Sequence, residues 1–167
     1  MISKLLTLLY SIYFNLRYLK FSTAIKLPIL IHWNSEIKSF KGNIEFENPS
    51  LFCFRIGIGE VGFTKRNDRC LIKNDGLIIL KGSAFVGRGS ELCNDGILTL
   101  GDRFNISASS RIICMNSISF GEKCLISWSC QVMDSDFHKI YRTGNKVKQK
   151  QVNIGNKVWL ANSVFIY

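Results

Sequence analysis

Asp134-Ser135-Asp136-Phe137-His138 sets an imidazole shortly after two carboxylates. A carboxylate beside a histidine holds one ring nitrogen protonated and leaves the other free to take a proton, as a general base requires. The proton would come from an alcohol or an amine. A surface turn with Asx caps accounts for the same five residues. Lys139, Arg142, Lys146, Lys148, Lys150 and Lys157 follow, with no Asp or Glu after Asp136. Such a stretch is either a solvated basic loop or a rim that attracts phosphates. It holds no Gly-rich GxxxxGK[ST] loop, which disfavours a nucleotide hydrolase.

The elements that must position this run are repeats. LKGSAFVGRGSEL (80–92), LGDRFNISASSRI (100–112), FGEKCLISWSCQV (120–132) and IGNKVWLANSVFI (154–166) align without gaps. Leu80, Leu100 and Phe120 correspond at a constant offset of 20, as do Val86, Ile106 and Ile126, then Leu92, Ile112 and Val132. Ile154, Leu160 and Ile166 repeat the pattern, and within each stretch the large apolar positions lie six apart. The four-after position is mostly small or branched: Ala84, Ser90, Ser110, Cys124, Cys130, Val158 and Val164, with Phe104 the exception. This period fits three short flat strands per triangular coil. Each strand sends one large side chain to the axis, and small residues or glycine occupy the sharp corners. The expectation is an all-β fold, a left-handed parallel β-helix of hexapeptide repeats, with a short N-terminal helix and an extruded loop. An antiparallel sandwich would need all twelve aligned positions to coincide by chance.

Residues 1–41 read as an N-terminal helical and extended segment and 42–167 as the β-helix domain. Residues 42–79 are strand-rich (44–46, 52–58 and 70–72) without strict hexads, and read as irregular first coils. The two residues by which a 20-residue coil exceeds three hexads fall in a corner near Asn94–Gly96 and Met115–Ser117. Phe120 and Ile154 are 34 apart where 20 is expected, so 14 extra residues lie within an inserted loop, 133–151. A loop thrown out of a regular solenoid is where function usually sits.

Composition narrows the function classes. With 167 residues, 47% hydrophobic and 20% charged, the chain suits one globular domain and not a disordered one. Six cysteines form no C-x-x-C pair. Cys124 and Cys130 fall on the repeat, so the cysteines read as buried free thiols in a reducing cytoplasm. His32 and His138, the two histidines, cannot supply a three-histidine zinc site within one chain, and no metal is expected. The net charge of +10 calls for an anionic partner. No helix-turn-helix, zinc-finger or RNP pattern makes that partner nucleic acid. A phosphate-bearing nucleotide cofactor, an acidic glycan or an anionic membrane surface remains.

Leu5, Leu8, Leu9, Ile12, Leu16 and Leu19 recur at helical spacing. The stretch is too short and polar for a confident membrane span and lacks a signal-peptide cleavage site. Around it stand Lys4, Arg17, Lys20, Lys26, Lys38 and Lys41 against one acid, Glu36. One reading is a helix packed on the domain or on a neighbouring subunit. The other is an amphipathic helix on the inner membrane leaflet. Pro28 then ends the region in an extended segment.

The hexads, ISWSCQVMDSDFH (126–138), IGNKVWLAN (154–162) and AIKLPI (24–29) resemble bacterial hexapeptide-repeat O-acetyltransferases of the branch that modifies capsule, lipopolysaccharide or other surface sugars. The resemblance covers most of the chain. It implies a homotrimer that uses acetyl-CoA and a sugar or polysaccharide-precursor acceptor, cytoplasmic as the thiols suggest and able, through the basic N-terminal helix, to touch the inner membrane surface peripherally. His138 would deprotonate the acceptor hydroxyl for direct attack on the thioester in a ternary complex, without an acyl-enzyme. Asp136 or Asp134 would orient it, a backbone amide would stabilise the oxyanion, and the site would lie between neighbouring subunits. Ser127 and Trp128 match the acceptor side, although corner packing accounts for Trp128 equally well. Trp159, Ala161 and Asn162 match the acetyl-CoA side. Ala161 stands in VWLA where the family has VWIG, which alters a close backbone approach to the cofactor. Family members usually continue for further coils, whereas this chain stops at Tyr167. That departure implies either a truncated, catalytically impaired β-helix acting as a scaffold or remnant, or an end covered by another subunit.

Overall fold

The computed structural model describes residues 2–59, 61–62, 64–65, 67–135, 137 and 151–167. After helices α1 (Ile2–Tyr18) and α2 (Phe21–Ala24), the chain winds into coils of short strands. The first coil holds β1 (Ile29–Ile31), β2 (Glu36–Phe40) and β3 (Asn43–Phe46). The second holds β4 (Phe54–Ile56), β5 (Leu71–Asn74) and β6 (Leu77–Leu80), and the third β7 (Ala84–Val86), β8 (Glu91–Asn94) and β9 (Ile97–Leu100). The fourth holds β10 (Phe104–Ile106), β11 (Arg111–Cys114) and β12 (Ser117–Phe120), and the fifth β13 (Leu125–Ile126), β14 (Gln131–Met133) and β15 (Gln151–Ile154). β16 (Trp159–Leu160) and β17 (Phe165–Ile166) begin a sixth. Corresponding strands of successive coils pair in parallel, giving sheets β1-β4-β7-β10-β13-β16, β2-β5-β8-β11-β14-β17 and β3-β6-β9-β12-β15. The fold is a left-handed parallel β-helix.

The register stacks like on like. Val86, Ile106, Ile126 and Leu160 align down one sheet, and Leu92, Ile112, Val132 and Ile166 down the second. Leu80, Leu100, Phe120 and Ile154 align down the third. A second inward ladder, Ile78, Leu98, Ile118 and Val152, lines the third sheet and is buried. The hexad does not reveal this ladder, because it marks one inward residue per strand.

The solenoid begins earlier than expected. β1 and β2 already pair with β4 and β5, so the boundary read at 41/42 falls inside the first coil. Two interruptions hide this in the sequence: a register shift between Ile37 and Ser39, and the long connection 57–70 where later coils use 87–90 and 107–110.

The corners also differ from the expectation of small residues or glycine. Arg103, Ser109, Lys123, Ser129, Lys157 and Ser163 all take φ between 55° and 59°. That conformation costs a non-glycine residue roughly 1–2 kcal/mol. An inter-coil bond at each of these corners offsets it, as where Lys123 N–H donates to the Asp102 carbonyl at 2.7 Å and Lys157 N–H to that of Glu122 at 2.7 Å. Small residues are needed just inside the corner. Ser90, Ser110 and Cys130 turn inward and donate to the carbonyls of Ser107, Ser127 and Ala161 at 2.7, 2.8 and 2.9 Å. The two-residue excess falls where expected, at Asp95–Gly96 and Met115–Asn116. Gly96 is required there, since a Cβ would lie 2.3 Å from the Asn116 carbonyl oxygen.

All six cysteines are free, and five are buried. Burial pushes the thiols of Cys70 and Cys114 up to about 12.

α1 closes the N-terminal end of the solenoid. β1 is an edge strand, and α1 supplies the partner it lacks. Asn15 donates to the Ile29 carbonyl at 2.7 Å and accepts from Ile29 N–H at 3.1 Å. Ser11 does the same for Ile31 at 3.2 and 2.9 Å. Phe14 drops into the core against Phe40 and Tyr18. The helix packs through Thr7, Ser11, Phe14 and Asn15; of the apolar stripe that marked it in the sequence, Ile12 and Leu19 are half-buried and Leu5, Leu8, Leu9 and Leu16 are exposed.

Candidate functional site

Asp134 stands where the helical path breaks off between β14 and β15. In earlier coils, corner amides are met by carbonyls of the next coil. Asp95 and Gly96 N–H donate to the Cys114 carbonyl, and Ile97 N–H to that of Asn116. One coil later the Asp134 carboxylate meets the corresponding amides. It accepts from Met115, Asn116 and Ser117 N–H at 2.7, 2.7 and 2.6 Å, and is 1% exposed. Asp134 therefore closes this corner, while His138, which the resemblance would have it orient, lies outside the described residues. A signal for the corner-closing role existed in the sequence: Asn74, Asn94, Cys114 and Asp134 follow one another at the coil offset. Asn94 Nδ2 donates to Asn74 Oδ1 at 2.8 Å, and Cys114 Sγ lies 3.9 Å from Asp134 Oδ2.

Asp136 and His138 lie outside the described residues, as do Lys139, Arg142, Lys146, Lys148 and Lys150.

The other expected residues share the first sheet and its corner in the last two coils. Trp159 points outward from β16, in register with Leu125, and is 68% exposed. Its Nε1–H donates to Ser127 Oγ at 2.9 Å, joining a residue expected on the acceptor side to one expected on the acetyl-CoA side. Trp128 is 42% exposed, and its carbonyl accepts from Ser163 N–H at 3.2 Å. Ala161 and Asn162 are exposed on the corner one coil on, and the Ala161 carbonyl takes the Cys130 thiol. The result is an exposed shelf that carries the Trp128 and Trp159 indoles, with Ser127 buried beneath and its hydroxyl taken by Trp159. Lys157 is exposed on the neighbouring corner.

Asp134 and this shelf belong to different corners. The strand β14 separates them by about 10 Å at ordinary strand rise.

A hollow of about 910 Å³ lies towards the N-terminal end, away from the expected residues described above. Ser3, His32, Trp33, Asn34, Ser35, Asn67, Arg69 and Arg88 line it. Nothing in the sequence groups them, because they come from α1, the corner after β1, the long connection after β4 and the corner after β7, which no repeat links. Among the described residues no group of His, Cys, Asp and Glu is placed to hold a metal ion.

A Klebsiella pneumoniae protein described as an uncharacterized 24.8 kDa protein in cps region is 28% identical to this chain over 141 residues. The match takes in 83% of the chain and 62% of that protein, so the chain spans less than two thirds of its relative's length. No protein-family model matches the chain, and no solved structure does.

Proposed function

We propose that this chain is an acyltransferase that moves an acetyl group from acetyl-CoA to a hydroxyl of a sugar or surface-polysaccharide precursor, with His138 as general base. The observation that carries the reading is the shelf. Trp159 and Ser127, assigned to opposite sides of the reaction, are hydrogen-bonded on a regular β-helix whose path breaks off at the Asp134–His138 run. The relative from a cps region adds a polysaccharide context, and a bacterial cytoplasm would supply both substrates.

Acetyl-CoA is a substrate in this reading. Exposed Trp159, Ala161 and Asn162 offer it a ring face and backbone groups, and Lys157 a cation for phosphate. Trp128 offers the acceptor a ring face. His138 takes the proton of the acceptor hydroxyl as its oxygen attacks the thioester carbonyl. The carbon–sulfur bond breaks and CoA leaves as thiolate, which takes the proton back. Asp136 is the carboxylate assigned to orient His138, since Asp134 holds three backbone amides. Because β14 separates the shelf from the corner that precedes His138, a site using both fits a trimer in which adjacent chains supply one each.

The test is titration calorimetry of the chain with acetyl-CoA, with molecular mass from light scattering in the same buffer, followed by a transfer assay across sugar acceptors. Binding by a trimer is expected, and His138→Ala should lower turnover by about 10²–10⁴-fold with acetyl-CoA binding intact. Full activity in that variant removes His138 from the mechanism. Absence of acetyl-CoA binding replaces the enzyme reading with a non-catalytic β-helix scaffold.

A further inference from the structure

We propose that the outer face of α1, continued by the exposed apolar residues of α2, docks this protein on an anionic lipid surface. The starting observation is an inversion. A helix packed on a domain ordinarily turns its apolar stripe inward. α1 turns inward Thr7, Ser11 and Asn15, which pair with one another's backbone and with the edge strand, together with Phe14 and, partly buried, Tyr10 and Tyr18. Its opposite side carries Ile2, Leu5, Leu9, Tyr13 and Leu16 at three- and four-residue spacing, each more than half exposed. Leu6 and Leu8 border that stripe, and Phe21 and Ile25 of α2 extend it. The core does not use this face, and the helix cannot roll to bury it without breaking the side-chain bonds to Ile29 and Ile31.

The charges around the stripe select the occupant. Arg17, Lys20 and Lys26 are exposed beside it, Lys4 lines a hollow on the solenoid side of α1 with Thr7 and His32, and the first acidic residue of the chain is Glu36. Glu45 faces Lys20 across a hollow beside the end of α1. An apolar face fringed by cations is the pattern of a helix lying at a membrane interface, its leucines among acyl chains and its cations at anionic headgroups. A second copy meeting this face head-on would bring Arg17, Lys20 and Lys26 of both chains together without acids from residues 1–35 to offset them. No helix among the described residues is long and apolar enough to cross a membrane, so the contact is peripheral. The face lies at the opposite end of the solenoid from the Trp159 shelf and leaves that shelf clear.

The test is co-sedimentation of the full chain with vesicles of phosphatidylcholine, with and without phosphatidylglycerol. The chain should pellet with the anionic vesicles and much less with the neutral ones. Leu5→Ser/Leu9→Ser/Leu16→Ser should remove binding while leaving the circular dichroism and urea midpoint near wild type. Lys20→Gln/Lys26→Gln, which spares the apolar stripe, should weaken binding about 25-fold at low salt. Failure of the wild-type chain to pellet, or binding unchanged in the charge variant, overturns the proposal. So does a loss of molecular mass by light scattering in the leucine variant when the wild-type chain does not bind vesicles, which assigns the face to self-association. None of these outcomes depends on acetyl transfer.

Discussion

The first coil of the solenoid and the coil that β16 and β17 begin are covered unequally. At the first coil, α1 supplies Ser11 and Asn15 to the edge backbone and Phe14 to the core. At the last, Val158, Leu160, Val164 and Ile166 are only partly buried, and Trp159, Phe165 and Tyr167 are more than half exposed. In a β-helix each coil borrows its stability from the next. The difference teaches that the stacking residues do not weigh equally: an identical hexad position counts for less where it is covered from one side only.

The largest effects should expose that gradient. Phe14→Ala removes a fully buried ring at the closed end and should cost about 4 kcal/mol. Leu160→Ala removes a side chain in the same ladder as Ile126 that is only partly buried, and should cost about 1–2 kcal/mol. Urea unfolding of both variants checks the ordering. Equal costs would mean that the last coil is as firmly held as the first.

The next comparison is between two side chains that each stand in for missing backbone. Asn15 serves Ile29 at the N-terminal edge, and Asp134 serves three corner amides where the path breaks off. Asn15→Leu keeps the volume but leaves a buried strand N–H and carbonyl unmet, for a loss of about 3 kcal/mol. Asp134→Asn keeps the shape but turns an amide NH₂ towards backbone donors, for a loss of about 2 kcal/mol. Melting followed by circular dichroism reads both. Unchanged stability in Asp134→Asn, together with a large loss of transfer, would return Asp134 to the catalytic role the resemblance offered.

Residues 80–166 were legible because like stacks on like, and few folds besides a β-helix space large apolar side chains six apart. The corner at Asp95–Gly96 followed from the same arithmetic. What the sequence concealed was everything that works by substitution. A helix that closes a strand edge with Ser11 and Asn15 looks, by hydropathy, as though it should pack through its leucines. A carboxylate that replaces carbonyls looks like a partner for the nearby histidine. Lysine and arginine at φ near 57° resemble ordinary surface cations, because a sequence does not record the inter-coil bond that compensates the backbone. The pairing of Ser127 with Trp159 spans 32 residues and the whole inserted loop, and no local spacing announces it.

The smallest effect is a difference in opening between thiols of equal burial. Cys70, Cys114, Cys124 and Cys130 are each at most 2% exposed. Cys124 and Cys130 are covered by the last coil, where their sulfurs meet the Gly155 and Ala161 carbonyl oxygens at 3.0 and 2.9 Å. Cys70 belongs to the second coil and Cys114 to the fourth, with further coils on both sides. Alkylation at pH 8 requires opening, because buried thiols are shielded and burial holds those of Cys70 and Cys114 up to about 12. Half-buried Cys93 should react first, then Cys124 and Cys130. Cys70 and Cys114 should follow about 10-fold more slowly, a gap of ~1.4 kcal/mol in opening free energy. Raising the pH speeds every site, since the thiolate is the nucleophile, but an order set by opening stays the same. Peptide mass spectrometry at timed quenches resolves the five sites. If Cys70 keeps pace with Cys130, opening is global, and the contrast between the two ends does not extend to their dynamics.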